Sequence, residues 1–173
     1  LDIANWGCPR VGSLPFEVEC SANYRDTGFT DNVEGWDATF HFEDGLKMRF
    51  TDATKQTAGC RFIGTKGWVH ADRGGRRLWS EPKSLLAVKW MDSDTRLPVS
   101  KYHQENFLEA VRSRRDPLSD AGATLIASNL GLAADIAARL ERKLKWNPKS
   151  HAFVGSDEAN KMLTRPMHNG WKL

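Results

Sequence analysis

The side chains of this sequence with chemistry to offer are five histidines, three cysteines and one tight cluster of arginines. Spacing disqualifies most of them. His41, His70, His103, His151 and His168 contain no i, i+4 pair of the kind a helix uses to hold zinc. Cys8, Cys20 and Cys60 are an odd count without Cys-x-x-Cys spacing and read as reduced, packed thiols. A Cys8–Cys20 disulfide would require an exported protein. The run Gly59-Cys60-Arg61-Phe62-Ile63-Gly64-Thr65-Lys66 inverts the order a phosphate loop needs. There Lys precedes Ser/Thr, so that the ammonium reaches the phosphates and the hydroxyl reaches magnesium. No Gly-x-Gly-x-x-Gly follows a strand, so no dinucleotide site is expected in this chain. Asp92-Ser93-Asp94 opens like a calcium loop, but its sixth position is Leu97 rather than Gly and its twelfth is His103 rather than Glu. No metal site is expected. Three candidates stand out. His41 falls on the polar face of a hairpin. Trp6, near the start, carries a ring large enough to line a pocket. Arg73 belongs with Arg76 and Arg77 around two glycines, either as a solvated hairpin tip or as a contact to substrate or partner.

Periodicity identifies the elements that carry these residues. Residues 16–24 alternate Phe16, Val18, Cys20 and Ala22 with Glu17, Glu19 and Ser21, which is a strand. Residues 36–52 form a hairpin. A two-residue turn at Asp44-Gly45 would set Phe42 opposite Lys47 and mix the faces. A three-residue turn, Glu43-Asp44-Gly45, pairs Phe42 with Leu46, Phe40 with Met48 and Ala38 with Phe50, and puts Gly45 in the left-handed position. His41 then shares a polar face with Asp37, Thr39, Lys47, Arg49 and Thr51. One apolar and one polar face imply an antiparallel sheet with helices on one side.

Residues 60–80 give more strands. Gly64–Gly67 is a turn, Trp68 to Arg73 a strand, Gly74-Gly75 a two-residue turn and Arg76 to Trp79 the return, with Asp72 opposite Arg77 and Ala71 opposite Leu78. A helix over 101–114 gathers Phe107, Leu108 and Val111 on one side. A longer one over 120–142, capped by Asp120, places Ile126, Leu130, Ala133, Ala137 and Leu140 at helical spacing. Leu144–Trp146 pairs with Ala152–Val154, and Ser156 caps a last helix that ends before Pro166. Strands first and helices after is an α+β order.

Composition bounds the function. Lys and Arg number 25 against 22 Asp and Glu, a net charge of +3 with both signs interspersed, which argues against nucleic acid. Hydrophobic content of 40% and charged content of 27% are ordinary for a soluble globular chain. No apolar run approaches the ~20 residues of a membrane helix, and no signal-peptide pattern opens the chain. A domain of 173 residues buries roughly 70% of its unfolded surface and needs no staple. Asp2-Ile3-Ala4-Asn5-Trp6-Gly7 reads as the last turn of a helix, with Gly7 as a left-handed stop and Pro9 beyond it. A last turn alone, in a chain that starts at Leu1 rather than Met, predicts residues upstream.

A series of short strings is similar to the C-terminal domain of the Gfo/Idh/MocA oxidoreductases, relatives of glucose–fructose oxidoreductase and inositol dehydrogenase, in their bacterial subgroup. They are Asp2–Gly7, Gly45-Leu46-Lys47-Met48, Gly64-Thr65-Lys66-Gly67-Trp68-Val69-His70 and Asp72-Arg73-Gly74-Gly75. They continue with His103–Val111, Arg142-Lys143-Leu144-Lys145-Trp146 and Asp157-Glu158-Ala159-Asn160. Their order covers nearly the whole chain. The resemblance implies an open, mostly antiparallel sheet with helices packed on one face. Residues 1–8 would be the tail of a helix from a nucleotide-binding domain, and 9–173 a substrate and oligomerisation domain.

The implied activity is NAD- or NADP-dependent oxidation or reduction of a hydroxyl on a sugar or cyclitol. The cofactor would sit on an N-terminal Rossmann domain outside this chain. The family's catalytic Lys lies in that domain and its catalytic His three residues before the aspartate matching Asp2, so no catalytic residue is expected here and the isolated chain should be inactive. Asp2 would give polar support near the sugar. Asn5 and Trp6 beside it, with His41 and Arg73, complete the candidate substrate contacts. The implied partners are the chain's own Rossmann domain, a sugar-like small molecule and a second copy through the sheet, with no nucleic acid and no membrane. Where relatives often carry histidines on the long helix, this chain has Ala121-Gly122-Ala123-Thr124 and Ser128-Asn129-Leu130. The compartment, bacterial cytoplasm or periplasm, stays open. The alternatives are an NAD-dependent glycosidase of the same superfold and a non-catalytic binding or dimerisation module.

Overall fold

The computed structural model describes residues 1–30, 32–74, 76–165, 167 and 169–170. Two compact units form, residues 1–57 with 126–173, and residues 58–125. The first holds short helices α1 (Asp2–Gly7) and α2 (Arg10–Ser13) and strands β1 (Phe16–Tyr24), β2 (Val33–Phe42) and β3 (Lys47–Thr51). The second holds β4 (Cys60–Gly64), β5 (Gly67–Ala71), β6 (Leu78–Glu81), a 3-10 helix at Lys83–Ala87 and α3 (His103–Ser113). The long helix α4 (Ala121–Arg139) follows, with β7 (Leu144–Asn147), β8 (Ala152–Phe153) and α5 (Asp157–Lys161) back in the first unit.

The first unit's sheet runs β3-β2-β1-β7-β8 with every neighbour antiparallel. The three-residue turn holds. Phe40 faces Met48 and Ala38 faces Phe50, the Phe42 amide donates to the Leu46 carbonyl at 2.9 Å, and Gly45 has φ of 86°. Val18 and Phe40 are fully buried, and Leu130, Ala133 and Ala137 of α4 lie against the same core. The small residues on α4 let the helix approach the sheet closely. Around Phe16, ring centroids lie 5.2 Å from Phe40, 5.5 Å from Phe42 and 6.4 Å from Trp146. Ser156 caps α5 by accepting from the Ala159 amide.

Two expectations about the start and the long helix change. Gly7 lies inside α1, whose cap is Cys8 with φ of −147° and ψ of 85°; Pro9 then opens α2 instead of ending a helix, its φ of −57° suiting a first turn. α4 is itself long and apolar enough, by length and composition, to cross a membrane. Its residues Leu130, Ala133, Ala134, Ile136, Ala137 and Ala138 are instead buried in the core. The helix 120–142 also ends early, at Arg139.

In the second unit Gly64 pairs with Gly67 and Ala71 with Leu78, as the pattern requires. The strands stop short of the tip because one Asp72 carboxylate oxygen accepts from the amides of Gly74, Arg76 and Arg77. The Asp72 amide still donates to the Arg77 carbonyl at 3.2 Å, so Asp72 faces Arg77 and its side chain closes the loop beyond. Asp120 caps α4 through the Ala123 amide at 3.0 Å. On α3, Phe107, Leu108 and Val111 share a side but remain exposed. The readings placed on Gly75, Pro166 and His168 lie outside the described residues. The three thiols are free.

Candidate functional site

α1 is too short to persist by propensity. Packing holds it. Leu1 lies against the core, beside Gly131 of α4. At Gly12 of α2, a Cβ would stand 2.5 Å from Asn5 Oδ1 and 2.6 Å from Ile126 Cγ2. A methyl there requires the Asn5 and Ile126 side chains to shift. Asn5 and Trp6 are thereby half-buried, and Asp2 stays exposed in the first turn. Gly12→Ala is expected to cost about 1–3 kcal/mol by overpacking and to push α1 outward. A urea titration checks the first effect; faster amide exchange at Asn5 and Trp6 checks the second.

His41 projects from the opposite face of the sheet. Its Nε2 lies 3.2 Å from Glu19 Oε1, and Lys143 Nζ approaches the same oxygen at 3.8 Å. On that face Arg49 grips Asp37 through two hydrogen bonds, at 2.9 and 2.7 Å, which hold the Asp37 carboxyl below its ordinary range. The structure therefore brings Asp2, Asn5 and Trp6 together on α1 and leaves His41 apart from them. Arg73 is exposed and belongs to the second unit.

A cavity that the sequence reading missed lies between the sheet and α4. It measures about 190 Å³, and Tyr24, Trp36, Phe50, Gly131 and Asp135 line it. Gly131 also faces Leu1, so the cavity lies next to the start of α1. At its edge the Tyr24 hydroxyl donates to Asp135 Oδ1 at 3.0 Å. Arg139 Nε donates to Asp135 Oδ2 at 2.9 Å, with its guanidinium 4.5 Å from the Tyr24 ring centroid. Desolvation first, and the bond to Asp135 second, push the Tyr24 phenol up to about 12. One signal in the sequence marked this place: Asp135 is the lone acidic residue in the apolar run Leu130–Ala138. Cys20 also lines the cavity, and burial pushes its thiol up, which makes it a poor nucleophile. Among the described residues no group of three His, Cys, Asp or Glu is placed to hold a metal.

The Tyr24 shift has a testable sign. A pKa raised on folding stabilises the fold fully below the unfolded value near 10, and that contribution is lost as pH rises through about 12. Urea midpoints of the wild type are expected to fall across this window more steeply than those of Tyr24→Phe. Parallel profiles would contradict the assignment.

A family model described as the oxidoreductase C-terminal alpha/beta domain of the Gfo/Idh/MocA group matches residues 8–173. The chain belongs to the Gfo/Idh/MocA oxidoreductases. Two solved structures show the same fold. An aldose-aldose oxidoreductase from Caulobacter crescentus, complexed with glycerol, is 18% identical with a TM-score of 0.52, over 83% of this chain and 45% of that one. An NAD-binding protein from Listeria innocua is 13% identical with a TM-score of 0.52, over 86% and 48% respectively. This Gfo/Idh/MocA domain thus spans less than half the length of either. No curated protein sequence matches it.

Proposed function

We propose that this domain supplies the substrate side of an NAD(P)-dependent oxidoreductase acting on a hydroxyl of a sugar or cyclitol. The observation that carries the reading is the family match over residues 8–173. Both sheets are antiparallel among the described residues, so they offer no βαβ unit to a dinucleotide. In this reading NAD(P) binding is assigned to a Rossmann domain outside these residues. Hydride transfer is chemistry the nicotinamide supplies when bound. The chain's own part is to hold α1 in place, with Asp2, Asn5 and Trp6 orienting the sugar. The charged outer face of the five-stranded sheet is the surface for a second copy.

The test uses the protein carrying its upstream coding sequence, with absorbance of the reduced nicotinamide followed over a panel of sugars and cyclitols. Oxidation to a carbonyl product is expected, with Asp2→Asn lowering kcat/KM roughly tenfold or more through misplacement of the substrate. Release of free sugar from a glycoside would replace this reading with the glycosidase one. The 173 residues alone are expected not to bind NADH by calorimetry. A monomeric mass of the complete protein by light scattering would remove the sheet-to-sheet pairing.

A further inference from the structure

Among the described residues of the unit 58–125 no apolar side chain is buried; only His70 and Ser80 are. Helix α3 shows the consequence most clearly. Its 11 residues are too few to persist by propensity in water, and none of them is buried. One side of the helix is tied down: Asn106 Oδ1 accepts from the Leu118 amide at 2.9 Å, and Ala110, one turn on, is half-buried. Another side carries Phe107, Leu108 and Val111, which are 61%, 50% and 54% exposed. Their spacing makes one continuous apolar stripe.

The charges beside the stripe identify what covers it. Glu105, Leu108 and Arg112 follow at i, i+3 and i+7, along one line of the helix. Leu108 thus has an acid one turn before it and a base one turn after. Neither Glu105 nor Arg112 has an ion-pair partner among the described residues. A second α3 laid antiparallel, with the two-fold axis at Leu108, sets Glu105 against Arg112 of the partner subunit. It equally sets Arg112 against the partner's Glu105, and the apolar stripes meet between them. A parallel pair would set glutamate on glutamate and arginine on arginine. The pattern is complementary to itself in the antiparallel sense, which is what an isologous two-fold contact requires.

We propose that α3 is a docking site for a second copy of this chain, paired antiparallel through Phe107, Leu108 and Val111 and registered by reciprocal Glu105–Arg112 ion pairs. This surface is separate from the outer face of the five-stranded sheet, and neither pairing depends on the other. One short helix from each copy makes a contact below the size of a standard interface, so the expected Kd is on the order of 0.1 mM. At the micromolar concentrations of an unfolding titration α3 is then unpaired.

Charge-swapped variants of the full chain test this. In the wild type the amide resonances of α3 are expected to shift with protein concentration along one saturation curve. Glu105→Arg sets arginine against arginine, and Arg112→Glu sets glutamate against glutamate. Each variant alone is expected to self-associate about tenfold or more weakly. Mixed in equal amounts, the two variants restore both ion pairs. Isotope-labelled Glu105→Arg titrated with unlabelled Arg112→Glu should therefore regain the wild-type affinity, read from the α3 amides. A variant that had merely lost its fold could not be rescued in this way. Concentration-independent α3 resonances in the wild type, single variants that self-associate as the wild type does, or a mixture no tighter than its parts would each overturn the proposal, and each would leave the sheet pairing as it stands.

Discussion

Gly67→Ala is expected to unfold the three-stranded sheet of residues 58–125. Gly67 pairs with Gly64 at the β4–β5 turn and has φ of 131°, a region that residues with a Cβ rarely adopt. A Cβ built there overlaps the Glu81 carbonyl oxygen of β6 and stands 2.8 Å from Pro82 Cδ. Backbone has nowhere to go: moving Glu81 breaks the Trp68–Glu81 pairing, and moving Gly67 breaks the turn. Strain of 1–3 kcal/mol for the dihedral alone, plus the overlap, sets the cost at about 3 kcal/mol or more. Gly45→Ala is the control. Gly45 also has positive φ, at 86°, but a Cβ there meets open space, so only the dihedral cost of about 1–2 kcal/mol applies. Hydrogen exchange at the amides of β4, β5 and β6 distinguishes the two: protection should collapse in Gly67→Ala and persist in Gly45→Ala.

The contrast also marks what was legible in the sequence. Alternation plus one glycine was enough to set the β2–β3 register, because a slip by one residue would put Phe40 and Phe42 on the charged face. The same logic gave the turns at Gly64–Gly67 and the pairing of Ala71 with Leu78. Legibility failed where a residue's role depends on a distant contact. Gly12 looks unremarkable until Asn5 and Ile126 close over it. Pro9 reads as a stop because the helix behind it is visible in sequence and the one ahead, four residues long, is not. Asp72 keeps its backbone bond to Arg77 but also takes the Gly74, Arg76 and Arg77 amides on its carboxylate, a role alternation does not announce. The candidate residues divide along the same line. Asp2, Asn5 and Trp6 came together because they share one short helix. His41 was singled out correctly as lying on a polar face, but a face is not a site, and α1 lies on the other side of the sheet. The cavity was invisible because space left by Ala22, Gly131 and Ala134 has no residue to announce it.

Phe40→Ala is expected to remove a large share of the stability of the first unit and to loosen the seat of α1. Phe40 is 0% exposed and pairs across strands with Val18 on one side and Met48 on the other. Its ring meets Phe16 edge-on, at an interplanar angle of 71°, an arrangement favourable beyond the area it buries. Truncation loses the transfer energy of the ring and leaves a hole that close packing prevents the neighbours from filling. The cost is about 3–5 kcal/mol, against a total stability of about 5–15 kcal/mol for a typical domain. Phe107→Ala removes the same atoms from α3, where the ring is 61% exposed, and should change stability by no more than about 0.5 kcal/mol. Urea unfolding of the two variants measures the difference, and near-equal midpoints would refute the core assignment. The functional consequence follows from the layers. Phe40 and Leu130 share one core, α4 carries Gly131 one residue on, and Leu1 rests there. A sheet that holds α4 less firmly holds α1 less firmly, so Asp2 should be less well positioned in Phe40→Ala although the two residues never touch.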